Sequence, residues 1–386
     1  MKIVIAAVSS ATQLSGVTRH AANVARCLLT RPEISAVHVV AAPWQHQLFC
    51  DAVSRTDAKL HIHSVPLGAG TLARNLWYYS DLPAIAAQLE ADVVHLAYPA
   101  PLRRGAFHCP TVVSLHDLYP YDAPANFGFP KVLFNRRILW QCLRAADAIA
   151  SVSDHTLQHL AARAPLSILT KAVRIYNCVE AVSIQSPLSG WRGAPFFLCV
   201  AQHRWNKNIL LTIQVFQRLL QDQSIDPETE LLIVGVPGPE TPHIYRFLRT
   251  AGLNQKVTLI SGIRDAEMQW CYRNCELLLA FSSVEGFGLP VAEALLAGCR
   301  IVCSDIGAFR ELEGKSCHYV PLTASAAEFA ATVRTVLAEP RSKPVQLPQL
   351  SGPVIAEHYV QLYRRLVGLR SADSSPERAP HPQASG

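Results

Sequence analysis

The chain predicts an α/β protein made of two doubly wound, parallel sheets. Three observations carry that prediction. Short apolar runs alternate with helical stretches twice over, first between Lys2 and Val152 and again between Phe196 and Val320. Such alternation packs helices on both faces of a parallel sheet. The stretch 183–195 between the two series holds two prolines and little periodicity, and its composition is that of a linker. Finally, 386 residues, half of them hydrophobic and 17% charged, suit two cores better than one.

The first series reads as strands at Lys2 to Val8, Val37 to Ala42, Leu60 to Pro66, Val93 to Ala97, Thr111 to Leu115 and Ala148 to Val152. The opening apolar run is too short to span a membrane and has no charged region of any length before it, so a strand is expected there, not a signal peptide. No other run reaches transmembrane length. After the first strand, Gln13-Leu14-Ser15-Gly16-Val17 opens a helix whose apolar face carries Ala21, Val24, Ala25 and Leu28. His116 and Asp117 follow the strand ending at Leu115, and carboxyl ends of strands are where open α/β sheets hold ligands. Taken alone, such a histidine is better explained as a satisfied loop residue. Residues 129 to 146 read as a helix, and at about 100° per residue Leu133, Arg136, Arg137, Trp140 and Arg144 fall on adjacent angles. A tryptophan among arginines suits an interface with anionic lipid, although a solvated face with the indole covered by a neighbouring loop is the simpler account.

The second series has strands starting at Phe196 and at Leu231 to Gly235, Val257 to Ser261, Leu277 to Phe281, Ile301 to Ser304 and His318 to Val320. Arg204 and Lys207 lie between its first strand and the helix from Ile209 to Leu220. Two cations at a strand-to-helix junction can neutralise a diphosphate, the arginine as a fork and the lysine as a point charge. A surface ion pair is the plainer alternative. The most informative stretch is Ser282 to Gly298. An apolar strand enters a loop bearing Gly286 and Gly288, Pro290 opens a helix, and Gly298 ends it. Free amides at such a helix start favour a phosphate. Glu285 and Glu293 bracket that anion site, and carboxylates beside a phosphate are better placed to accept hydrogen bonds from hydroxyl groups on either side of it. A nucleotide-sugar has that pattern.

Composition narrows the partners. Lys and Arg exceed Asp and Glu by 35 − 29 = 6, a mild basic excess without a long basic run, which fits an anionic donor or membrane surface and argues against nucleic acid. Eleven cysteines, an odd number scattered singly, point to thiols in a reducing compartment. Cys271 with Cys275 and Cys299 with Cys303 have a spacing of interest to a metal, but they lie in apolar stretches where core packing is the simpler account.

Two glutamates seven residues apart around Gly-Phe-Gly-Leu-Pro resemble the signature of the family 4 retaining glycosyltransferases (glycosyltransferases group 1). The resemblance covers most of residues 1 to 370. It implies the GT-B fold: two Rossmann-like domains facing across a cleft, residues 1–182 on the acceptor side and 196–345 binding the nucleotide-sugar. A last helix, 353–370, returns to the first domain, burying the stripe Ile355, Tyr359, Leu362, Leu366 and Leu369. Residues 371–386 have the composition of a disordered tail.

By the same resemblance Glu285 holds hydroxyls of the donor sugar and Glu293 the ribose. The amides of Gly286, Phe287, Gly288 and Leu289 meet the diphosphate. Lys207-Asn208 matches the family's Lys-Asn, whereas Ala201 and Gln202 depart from its pattern, which leaves Arg204 as the arginine. His116 and Asp117 match its His-Asp pair near the donor sugar and acceptor, and Gly16 its glycine turn facing the reaction centre, with Ser15 in place of the first glycine. No Asp-x-Asp is present, so neither metal nor other cofactor is expected. The implied activity is a retaining, same-face transfer of a hexosyl group, mannosyl-like by preference, to a glycan or lipid-linked acceptor in bacterial polysaccharide or lipopolysaccharide synthesis. The implied location is the cytoplasm, at the inner face of the plasma membrane if the Arg136/Trp140 helix touches lipid. A GT-B epimerase or phosphorylase, a sugar hydrolase and a non-catalytic nucleotide-binding subunit stay open as alternatives.

Overall fold

The computed structural model describes residues 1–373 except 14, 54–56, 69, 181–183 and 313–315. The segment 374–386, most of the expected tail, lies outside the described residues. Seven strands form the first sheet: β1 (Lys2–Ala6), β2 (Ala36–Ala41), β3 (Leu60–Ser64), β4 (Val93–Leu96), β5 (Thr111–Leu115), β6 (Ala148–Ser151) and β7 (Ala172–Arg174). Their order is β3-β2-β1-β4-β5-β6-β7, every pair parallel. Six more form the second: β8 (Phe196–Val200), β9 (Glu230–Val234), β10 (Val257–Ile260), β11 (Leu277–Ala280), β12 (Ile301–Ser304) and β13 (Cys317–Val320). That sheet runs β10-β9-β8-β11-β12-β13, again all parallel. Parallel strands covered on both faces need continuous apolar runs, which is why IVIA, VVHL and LLLA serve so well. Strand order reverses between β1 and β4 in one sheet and between β8 and β11 in the other, and the crevice beyond such a reversal is where this architecture binds ligands. The loop with Arg204 and Lys207 follows β8, and the loop with Glu285 follows β11.

Seven helices place the site: α1 (Gly16–Leu29), α2 (Lys131–Ala145), α3 (Asp154–Ala161), α4 (Ile209–Gln221), α5 (Asp265–Asn274), α6 (Leu289–Ala297) and α7 (Gly352–Asp373). Ser15 caps α1 by accepting from the Thr18 amide, which accounts for a serine at that turn. α6 starts at Leu289, one residue before Pro290, with Gly288 as its cap at φ +93°, and ends at Gly298 at φ +74°. α7 returns to the first sheet. Ile355, Tyr359 and Leu362 are buried with Ile3, Ile5 and the apolar face of α1, Leu366 packs at the edge, and Leu369 at the far end is exposed. The two sheets' cores also meet, Val152 and Val179 joining Phe196, Phe287 and Leu188 in one cluster.

Of the two readings of the Trp140 helix, the structure shows the indole covered by a neighbouring loop. Its indole N–H donates to the Tyr121 hydroxyl at 2.6 Å, and Arg136 lies over the Tyr121 ring while its Nε donates to the Pro120 carbonyl. Trp140 and Arg136 are therefore satisfied inward, and the apolar groups this region turns to solvent are Phe129, Leu133 and Phe134, with Lys131 and Arg137 beside them in the chain. No described helix is long and apolar enough to cross a membrane. All eleven cysteines are buried and none forms a disulfide. Among the described residues no group of three or more His, Cys, Asp or Glu is arranged to hold a metal ion.

Candidate active site

A cleft of about 870 Å³ opens where the two switch points face each other, and every residue singled out from the motifs lines it: Gly16, His116 and Asp117 from the first sheet's loops, and Arg204, Lys207, Glu285 to Leu289 and Glu293 from the second's. Asn208, in the left-handed conformation, ends the short turn Trp205–Lys207 and starts α4, and its side chain donates to the Phe281 carbonyl. Asn206 donates to the Val284 carbonyl. These amide bonds stitch the cation loop to the glutamate loop, which brings Lys207 Nζ to 2.5 Å from Glu285 Oε1. Ser282 donates to the same oxygen at 2.7 Å and the Tyr119 hydroxyl lies 3.3 Å from Oε2. Glu285 is thus a fixed acceptor. The Arg204 side chain lines the same cleft, where its guanidinium can meet an anion.

The glycines serve a purpose the motif alone does not announce. A Cβ on Gly286 would fall 1.6 Å from the His116 carbonyl oxygen, and one on Gly288 would strike Phe309 at 2.7 Å. Protein packs against both positions, and at Gly288 the backbone at φ +93° favours glycine as well. The Gly286 carbonyl accepts from Ser153 and Thr156 hydroxyls at the start of α3. Glu311, from beyond β12, accepts from the Asp154 and His155 amides at 2.6 and 2.9 Å, capping α3 from the opposite sheet. The two halves are therefore tied together by side-chain-to-backbone hydrogen bonds at the Gly286 loop and at the start of α3. Gly16, by contrast, would place a methyl group with nothing within 4 Å, so its surroundings are open cleft.

Glu293 accepts from the buried Tyr272 hydroxyl at 2.7 Å, and Arg19 reaches across from α1 to Asp265 at 2.7 Å beside it. Arg19, Tyr119, Tyr272 and Asp265 were not singled out by the motifs. Arg19 had a signal, since it sits one helical turn after Gly16 on the face that turn presents; Tyr119 and Asp265 become visible only through contacts across the cleft, and Tyr272 through its contact with Glu293 within the second half.

Comparison with known proteins identifies the family and the fold. Residues 14–182 match Glycosyltransferase Family 4, and residues 189–348 match Glycosyl transferases group 1. The chain belongs to the family 4, group 1 glycosyltransferases. It is 22% identical over 225 residues to O-antigen chain mannosyltransferase B of Escherichia coli, a match covering 53% of this chain and 55% of that protein, so the chain spans about half of that relative. It is 25% identical over 284 residues to a GDP-mannose-dependent alpha-mannosyltransferase of Mycobacterium tuberculosis, covering 68% and 69% of the two. In structure it resembles Anabaena HepE, solved in complex with UDP and glucose, with a TM-score of 0.63, 15% identity and 97% and 99% of the chains covered. That likeness establishes the GT-B fold.

Electrostatics in this family 4 cleft concentrate on two carboxyls. Burial pushes Asp117 up to about 6, against the Tyr119 amide it accepts from and the charges of Arg204 and Lys207, with Glu285 adding to the rise. Burial also raises Glu293, opposed by Arg19 and the Tyr272 hydroxyl. His116 is lowered by burial, and its Nε2–H donates to the Ala97 carbonyl at 2.7 Å, so Nδ1 is the unprotonated nitrogen of a neutral ring. For Asp117 the sign is definite. A carboxyl whose folded value is raised loses stability as pH climbs from its unfolded value to about 6, and the loss is constant above. Asp117→Asn should therefore raise the melting temperature more at pH 7.5 than at pH 4, about the values that bracket the titration. An equal shift at both would mean that the folded carboxyl titrates as it does in the unfolded chain and is not raised by burial.

Proposed function

We propose that the protein transfers a hexosyl group with retention from a nucleotide-sugar to a glycan or lipid-linked acceptor, in bacterial polysaccharide or lipopolysaccharide synthesis. The observation that carries this reading is the convergence in one cleft of two glutamates, two cations and a helix start. Arg204 and Lys207, with the amides at the start of α6, face the diphosphate and stabilise the charge that develops on it as the glycosidic bond breaks. This assigns the work of a metal to protein groups, and the transfer is proposed to be metal-independent. Glu293 accepts from the ribose hydroxyls, and Glu285 and the bare Nδ1 of His116 accept from hydroxyls of the sugar. Both oxygens of Glu285 already have donors, which favours a positioning role over attack on the anomeric carbon. The departing diphosphate then takes the acceptor proton on the same face, with Asp117 beside it.

Two relatives named as mannosyltransferases favour a mannosyl-like donor. The test is a thermal-shift panel of UDP, GDP, ADP, dTDP and their common sugars with chelator present. One nucleotide, at about a hundredfold excess over its Kd, should stabilise the wild type by about 2.7 kcal/mol and Glu293→Ala by much less. No stabilisation by any of them would overturn the donor assignment, and binding or turnover that returns only with a divalent ion would overturn metal independence. The proposed membrane contact falls on Phe129, Leu133 and Phe134 with Lys131 and Arg137, apolar groups accompanied by cations as anionic lipid requires. Sedimentation with anionic vesicles should be lost in Phe129→Ser/Phe134→Ser; equal sedimentation would refute that surface.

A further inference from the structure

A hydrogen-bonded chain of buried side chains runs beneath the cleft and uses polar groups that the chemistry above leaves unassigned. It begins on α7, where the Tyr363 hydroxyl lies 2.7 Å from His95 Nδ1. His95 Nε2 is 2.8 Å from Ser114 Oγ, that oxygen is 2.8 Å from His20 Nε2, and His20 Nδ1 is 2.6 Å from Asn177 Oδ1. None of the five side chains is more than 4% exposed, so each polar atom must find its partner within the protein.

Donor and acceptor roles follow from one end to the other. The Asn177 amide oxygen only accepts, so His20 carries its proton on Nδ1 and accepts at Nε2. Ser114 gives its single proton to that nitrogen and accepts from His95 Nε2–H. His95 Nδ1 then accepts from the Tyr363 hydroxyl. The chain has one direction, and both rings in it are neutral, His95 being pushed down to about 3 and His20 well below its ordinary value by burial. At the upper end the His20 ring stands perpendicular to that of His116, 4.6 Å between centres.

We propose that His20 is a positioning residue for His116: the one-way chain from Tyr363 holds it as a neutral wall that sets the direction in which His116 Nδ1 meets the donor sugar. The last step rests on the transferase reading; the chain itself does not. Because Tyr363 belongs to the helix that returns from the second sheet, the seating of that helix is felt at His116 through the hydrogen bonds that join Tyr363, His95, Ser114 and His20. A charged His20 would put a cation against the His116 ring and turn its own Nε2 from acceptor into donor, leaving the Ser114 proton without a partner.

The experiment is nitrogen-15 spectroscopy of the histidine-labelled full chain, joined to kinetics of Ser114→Ala and Tyr363→Phe. The expected tautomers at neutral pH are Nδ1–H for His20 and Nε2–H for His95 and His116, and the opposite tautomer or a charged ring at His20 would overturn the proposal. In both variants kcat should fall between about tenfold and a hundredfold, the range for a displaced positioning group, while nucleotide Kd stays within about twofold. Unchanged kcat in a folded variant refutes the positioning role. If Ser114→Ala does not fold, Tyr363→Phe, which loses one oxygen, reads the same split. Should the wild type show no transfer at all, the tautomers still decide the chain, and the failure belongs to the transferase reading.

Discussion

Gly286→Ala is expected to remove turnover, by about a thousandfold or more, while both sheets stay folded. The added methyl would sit 1.6 Å from the His116 carbonyl oxygen and 2.8 Å from its carbon, with Thr156 Oγ1 at 3.2 Å. Backbone on one side and backbone on the other leave no flexible end to give way. Relief must come from separating the loop after β11 from the loop after β5, which breaks the bonds from Ser153 and Thr156 to the Gly286 carbonyl and parts Glu285 from His116. A misplacement of about 1 Å can cost about a hundredfold on its own, and here the shift falls on residues from both sides of the reaction centre at once. Circular dichroism should match the wild type, small-angle scattering should report a wider molecule, and transfer should be undetectable. Activity within about threefold of the wild type would show that the cleft works without this contact.

Glu285→Gln is the second large effect. The change keeps the shape and removes the charge, and it also turns one acceptor into a donor facing Lys207 and Ser282 or Tyr119, all of which donate to Glu285. The site is only 11% exposed, so water does little to soften the mismatch. A fall in kcat of about a hundredfold to a thousandfold, on the order of 3 to 4 kcal/mol, is expected, as for loss of one preorganised group at developing charge. Binding of the nucleotide without its sugar should change little if, as proposed, Glu285 meets the sugar and Glu293 the ribose. A variant that keeps more than about a tenth of wild-type kcat would remove Glu285 from the centre. A glycosyl adduct on Glu285 trapped with a slow donor would replace same-face transfer with double displacement.

Much of this was legible in the chain. Except for β7, which no apolar run marked, the strands fall within a residue or two of the apolar runs, and the helix from Leu289 to Ala297 could be read from its proline and closing glycine. The cleft gathers residues from motifs up to 277 positions apart, from Gly16 to Glu293, several of which, His116 and Gly16 among them, were singled out only through the family resemblance. The motif did not show a further reason for two glycines: Gly286 and Gly288 also make room for His116 and Phe309. Trp140 is covered by the Tyr121 loop, the plainer of its two readings, while the less conspicuous Phe129 and Phe134 take the surface.

The sequence by itself determined the alternation of strand and helix, the turn that starts α6, and the residue types offered to a nucleotide-sugar, because these depend on period, dihedral preference and charge within about one or two turns of chain. Only the tertiary structure decided that Glu311 caps α3 from the opposite sheet, that Arg19 crosses to Asp265, and that Tyr363 is joined to His20 through His95 and Ser114. Apart from His95 and Ser114, which are 19 positions apart, the partners in those contacts are separated by 94 to 268 positions. No spacing rule reaches that far: such pairs form because folding brings their elements together, and burial then requires every polar atom among them to find a partner.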